Sequence, residues 1–133
     1  RLNKAIEYGL LVSFVGLLLL ASLQRINVYN HQLVNVLFFL IPVILGFGYG
    51  LTFPAYNTLF VNLAPNNRRA TASSTFMTSW DLGVGSGLIL GGRFADSQGG
   101  LPLAFLVGTL MVLFSYVYFV KSAGPHFLRN KLR

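Results

Sequence analysis

The sequence predicts an all-α integral membrane protein with four transmembrane helices, and three observations lead there. Of the 133 residues, 54% are hydrophobic and only 10% charged, a balance too apolar for a soluble domain of this length. Four apolar runs are each long enough to cross a hydrocarbon core, which takes about 20 helical residues. The ten Lys and Arg residues fall in short clusters between those runs rather than along one helix face. Despite a net charge of +7, they therefore read as topology signals and not as a nucleic-acid surface.

The first run, residues 5–23, is almost uniformly Leu, Val, Phe and Ala. No small-residue cleavage site follows it and the chain does not begin with Met, so it is expected to be a span rather than a signal peptide, within a piece of a longer sequence. Glu7, near its start, is expected to reach the interface. The second run, 33–63, contains Pro42 and Pro54; the third, 70–95, is rich in Gly, Ser and Thr; the fourth is 102–120. The connections "QRINVYNHQ", "APNNRR" and "DSQGGL" carry loop-forming Asn, Gly and Pro. Residues 121–133 are expected to form a basic cytoplasmic tail.

Orientation follows from the basic residues. With both ends of the segment cytoplasmic, Arg1, Lys4, Arg68, Arg69, Lys121, Arg129, Lys131 and Arg133 lie inside and only Arg25 and Arg93 outside. A division of eight to two fits the positive-inside rule.

The four spans differ in character. The first and fourth look peripheral and lipid-facing, so Gly9→Leu in the first is expected to be mild. The second holds "GFGYGLTFPAYN", which places Gly46, Gly50, Pro54 and Asn57 within about 80° of one another on a helix. That face either packs closely against a neighbour or lines a cavity at a hinge, since Pro54 frees the carbonyl four residues earlier. In the third, Ser74, Thr78, Asp81 and Gly85 fall within about 60°, while Gly83, Gly87 and Gly91 lie on the opposite side. The glycines form a flat surface where another helix can approach closely.

Asp81 lies about 16 Å of helix from Ala70, close to the membrane midplane. A carboxylate there costs roughly 2.5–3.5 kcal/mol on insertion scales, so it must face protein or water. It either loads a proton or a cationic substrate, with Asn57, Thr78 and Ser74 on the same pathway, or makes interhelical hydrogen bonds with Ser and Thr neighbours.

Enzyme signatures are missing: there is no nucleophile with a base, no phosphate loop and no pair of buried carboxylates. Cysteine is absent and the two histidines, His31 and His126, fall in polar segments, so neither a metal site nor a cofactor is expected. The remaining alternatives are a small dimeric four-helix transporter, with Glu7 as its carboxylate, or a non-transporting anchor or assembly subunit. The latter has no use for Asp81 and Asn57 inside the membrane.

"GFGYGLTFP", the short loop with Arg68 and Arg69, and "SWDLGVGSGLILGG" together resemble the tenth and eleventh helices of major facilitator superfamily transporters, nearest to the bacterial efflux-type members. The resemblance covers the chain as helices nine to twelve of a twelve-helix fold. It implies secondary active transport of a small solute by alternating access, with proton-coupled efflux across a bacterial inner membrane. The implied partners are the lipid bilayer, a small-molecule substrate and the missing N-terminal helices. "GGRFADSQGG" is similar to the family's cytoplasmic loop between its second and third helices, but Ser97, Gln98, Gly99 and Gly100 stand where basic residues are expected. That alignment would also reverse the charge division, so helices nine to twelve are retained, with Arg93 and Asp96 at the outer boundary as a weak pair or snorkelling side chains.

Overall fold

The computed structural model describes residues 2–29 and 31–131, so Arg1 and Arg133, both counted for orientation, lie outside the described residues. Four long helices follow one another: α1 (Leu2–Tyr29), α2 (His31–Leu63), α3 (Arg69–Ala95) and α4 (Gly100–Tyr118). A 3₁₀ turn, Asn66–Arg68, leads into α3, and α4 continues through a π-helical turn, Phe119–Ala123, into the short α5 (Gly124–Asn130). No strand occurs among the described residues.

The first connection is shorter than expected, because helix extends through Tyr29 and resumes at His31. Residues 24–29 contain neither Gly nor Pro, so helix runs on through them to Tyr29. Asn27 Oδ1 and His31 Nδ1, 2.7 Å apart, bridge the junction. Later helix boundaries fall at Pro65, which is extended at φ −62° and ψ 158°, and at Gly100, whose φ of +59° is one that Gly adopts at no steric cost.

α3 departs from the expected pattern in its apolarity. By length and composition α1, α2 and the helix from Gly100 to Asn130 qualify as membrane-crossing; α3 does not. At 27 residues it has the length, about 40 Å, but its Gly, Ser and Thr dilute its hydrophobicity.

The core lies at one end of the bundle. Ile6 and Leu10 of α1, Ala55 and Leu59 of α2, Phe119 of the π turn and Phe127 of α5 are buried together. Asn3 Nδ2 donates to the Gly124 carbonyl at 3.1 Å, tying α5 to the start of α1. Residues 121–130, expected only as part of a basic tail, thus supply a packed helix. Phe127, 4% exposed, anchors it against the apolar floor between α1 and α2.

The expectation for Gly9 is overturned. α1 packs against both α2 and α4, and Gly9, Ser13 and Gly16 meet Leu45, Gly48 and Thr52 where α1 and α2 come closest. A Cβ on Gly9 would overlap the Thr52 hydroxyl and stand 2.9 Å from the Gly48 carbonyl oxygen. Thr52 directs its hydroxyl to that same carbonyl at 2.6 Å, which satisfies it inside the seam. Two lines of small residues here supply the backbone-to-backbone approach that holds membrane helices together. By contrast, a Cβ on Gly83, Gly87 or Gly91 meets nothing within 4 Å, so among the described residues the glycine face of α3 is open.

Candidate functional site

α2 and α3 form an antiparallel hairpin about Pro65, held by aromatic rings. Phe53 packs edge-on against Phe76 (centroids 5.2 Å apart) and Trp80 (4.8 Å), and Phe60 packs against Phe76 (5.6 Å). The partly or fully buried residues of α3 cluster at its ends: Arg69, Ala72, Ser73, Phe76 and Trp80 near the start, Gly91, Phe94 and Ala95 near the finish. Residues 81–90 between them are all exposed. Trp80 is thus the last partly buried residue in the first half of α3.

Asp81 follows Trp80 directly, in the middle of α3. It is exposed and forms no hydrogen bond or ion pair with the described residues. The hydroxyls expected beside it are engaged elsewhere. Ser74 donates to the Ala70 carbonyl at 3.1 Å and Thr78 to the Ser74 carbonyl at 3.0 Å. Ser79 and Ser86, flanking Asp81, likewise donate to Thr75 and Leu82 carbonyls, both at 2.8 Å. In a sparsely packed helix this back-bonding satisfies each hydroxyl locally and leaves its lone pairs facing outward. The polar face of α3 therefore presents acceptors, among them the carboxylate of Asp81.

Asn57 is brought to a different partner from the one its helix face suggests. Its Oδ1 accepts from the Ser73 hydroxyl at 3.0 Å, the side-chain link between α2 and α3. Face arithmetic on α3 alone selects Ser74. Hairpin register would have selected Ser73, because Asn57 and Ser73 are each eight residues from Pro65 (65 − 57 = 73 − 65). Asn57 thus lies near the closed end of the hairpin, whereas Asp81 lies farther from it.

Pro54 sits inside α2 without ending it. Having no N–H, it leaves the Gly50 carbonyl without its intrahelical donor, and Thr58 donates to the Pro54 carbonyl at 2.8 Å. Gly46 and Gly50, with Val43, Phe47 and Leu51, border a shallow groove one to two turns before Pro54. A Cβ on either glycine meets nothing within 4 Å. The face carrying Gly46, Gly50 and Pro54 is therefore open, as is the glycine face of α3.

A family model described as Major Facilitator Superfamily matches residues 6–131, which takes in part or all of every helix. No curated protein and no solved structure matches the chain. With its all-helical architecture and long apolar helices, the chain belongs to the major facilitator superfamily, a family of multi-pass membrane transporters.

Proposed function

We propose that the chain is the C-terminal portion of a bacterial efflux-type transporter, helices nine to twelve, and that it exports a small solute by proton-coupled alternating access. The observation that carries this is the placement of Asp81: an exposed carboxylate at mid-helix, unpartnered among the described residues. An acid left facing hydrocarbon at that depth costs roughly 2.5–3.5 kcal/mol, so a water-filled cavity or the rest of the transporter must meet it. Transporter sites of this kind lie near the midplane between helix bundles. The exposed acceptors of Ser74 and Thr78 suit a proton or a cationic substrate passing along the same face. The freed Gly50 carbonyl beside Pro54 gives α2 a place to bend as the cavity changes sides, and the open Gly83, Gly87 and Gly91 face gives α3 a flat surface for the N-terminal helices. Both ends of the segment lie in the cytoplasm, and α3 counts as the third of four spans.

Asp81→Asn in the full-length protein tests the assignment, since it keeps size and hydrogen-bonding capacity but removes titration. In proteoliposomes the variant should insert normally and lose uphill transport driven by a pH gradient while retaining downhill flux. Uphill transport equal to the parent between about pH 6 and 8, where a proton-coupling acid must load and unload, would exclude Asp81 from the coupling.

A further inference from the structure

A cleft lies away from Asp81, between the C-terminal half of α2 and the segment running from α4 into α5. It encloses about 560 Å³. Its walls are aromatic, with Tyr56 and Phe60 on one side and Phe114 and Tyr118 on the other. Its polar groups come from the later segment: Ser115, Ser122 and His126.

Two features set these groups apart. Elsewhere the helical hydroxyls mostly fold back on their own helix, as Thr109 does on the Phe105 carbonyl at 2.7 Å. Ser115 and Ser122 make no such bond and have no partner among the described residues. Basic residues also adjoin the lining residues along the chain. Lys121 adjoins Ser122 in the chain, Arg129 stands one turn past His126, and Arg68 follows the cleft residue Leu63 by five positions; all three are exposed and without an ion pair. The chain has only three acidic residues, and none of them lines the cleft.

We propose that this cleft binds an anionic phospholipid of the leaflet that these basic residues face. One acyl chain lies against Phe60, Phe114 and Tyr118, and the phosphate is held by Ser122 and His126 with Lys121 and Arg129 at the rim. Each half of the cleft excludes a simpler occupant. A free anion gains nothing from an aromatic wall, and a neutral hydrophobe gains nothing from unpaired hydroxyls flanked by cations. An amphiphile with a negative head uses both, and basic pockets between membrane helices are where such headgroups collect. The packing of Phe127 beneath α5 fixes the rim in place, so the site is built before the lipid arrives. The inference rests on the membrane assignment and is independent of the role given to Asp81.

Native mass spectrometry of the full-length protein, titrated in detergent with dioleoyl phosphatidylglycerol or dioleoyl phosphatidylcholine, tests it. The anionic lipid should bind more tightly than the zwitterionic one. Each basic residue near an anionic surface contributes roughly a fivefold gain in affinity, so Lys121→Gln with Arg129→Gln should weaken phosphatidylglycerol binding about 25-fold. Both side chains are exposed, so this variant folds as the parent does. Ser115→Trp, which fills the cleft without touching its charges, should block binding if circular dichroism shows it folded; if it does not fold, the charge variant decides. Equal affinity for the two lipids, an unchanged affinity in the charge variant, or undiminished binding to folded Ser115→Trp would each overturn the proposal. Millimolar inorganic phosphate should leave the bound lipid in place, and displacement by it would assign the site to a free anion instead.

Discussion

Gly9→Ala and Gly9→Leu probe the closest approach in the fold. The added Cβ stands 2.9 Å from the Gly48 carbonyl oxygen and 3.2 Å from the Thr52 amide nitrogen, against 3.4–4 Å for ordinary contact. Both obstructing atoms are backbone and cannot rotate away. The third neighbour, the Thr52 hydroxyl, can move only by leaving its bond to Gly48. For Ala the helices must part by about half an ångström, which already forfeits about a quarter of each dispersion contact along the seam. Leu adds three more carbons with no room for them, and overpacking of that kind costs about 1–3 kcal/mol. With the obstruction in backbone, Gly9→Ala should cost about 1 kcal/mol and Gly9→Leu about 3 kcal/mol. The assay is unfolding of the purified full-length protein in mixed detergent and SDS, followed by helical circular dichroism. Gly108→Ala is the control, because its Cβ would meet only Leu17 Cδ1 at 3.9 Å, and it should be neutral. The reasoning fails if Gly9→Leu unfolds within about 0.5 kcal/mol of the parent, the ordinary range for surface changes, or if Gly108→Ala is equally damaging.

Two further outcomes test the wider placement of the chain. Gly87→Leu has free space within the described residues, so any loss of folded yield in the full-length transporter reports the helices that cover α3; yield equal to the parent would mean that nothing packs there. With Asn27→Cys and Asn130→Cys, both at exposed positions, a membrane-impermeant thiol reagent applied to intact cells should label the first and not the second; the reverse pattern would invert the orientation.

The four long helices were legible in order because a long run bounded by polar segments is a local property, but α5 inside the expected tail was not. Helix ends were less so. Residues 24–32 are polar, yet polarity does not stop a helix; absent Gly or Pro, it continued to Tyr29. Phe127 was overlooked because Lys121, Arg129 and Lys131 dominate the composition of its segment, and a single buried ring outweighs exposed charge in deciding where a short helix docks. The glycine patterns show a deeper limit. Gly9, Ser13 and Gly16 recur at helical spacing, as do Gly83, Gly87 and Gly91, yet one set is closed and the other open. Spacing marks a surface fit for close approach and carries no information about where the partner comes from. Asn57 and Ser73 were recoverable from hairpin register, which helix-face geometry taken one helix at a time does not include.

The two glycine surfaces and Asp81 together constrain what the rest of the transporter must do. The α1–α2 seam is closed by residues of the chain itself, so that pair is held without outside help. α3 is not: ten consecutive residues, 81–90, are exposed on every side. Among them Leu82, Leu88 and Ile89 are 69–74% exposed, surface that lipid could cover at no cost. If α3 spans the membrane as proposed, Asp81 cannot be covered by lipid on those terms, given the roughly 2.5–3.5 kcal/mol penalty for a mid-membrane acid. Nor can the glycine face gain from lipid the dispersion contacts that a flat helix surface offers. On the proposed placement the two faces of α3 call for different neighbours, a helix against Gly83, Gly87 and Gly91 and water or a polar solute against Asp81. A helix with protein on one side and an aqueous path on the other is placed to sense both, so a shift of its packed face changes the surroundings of its acid.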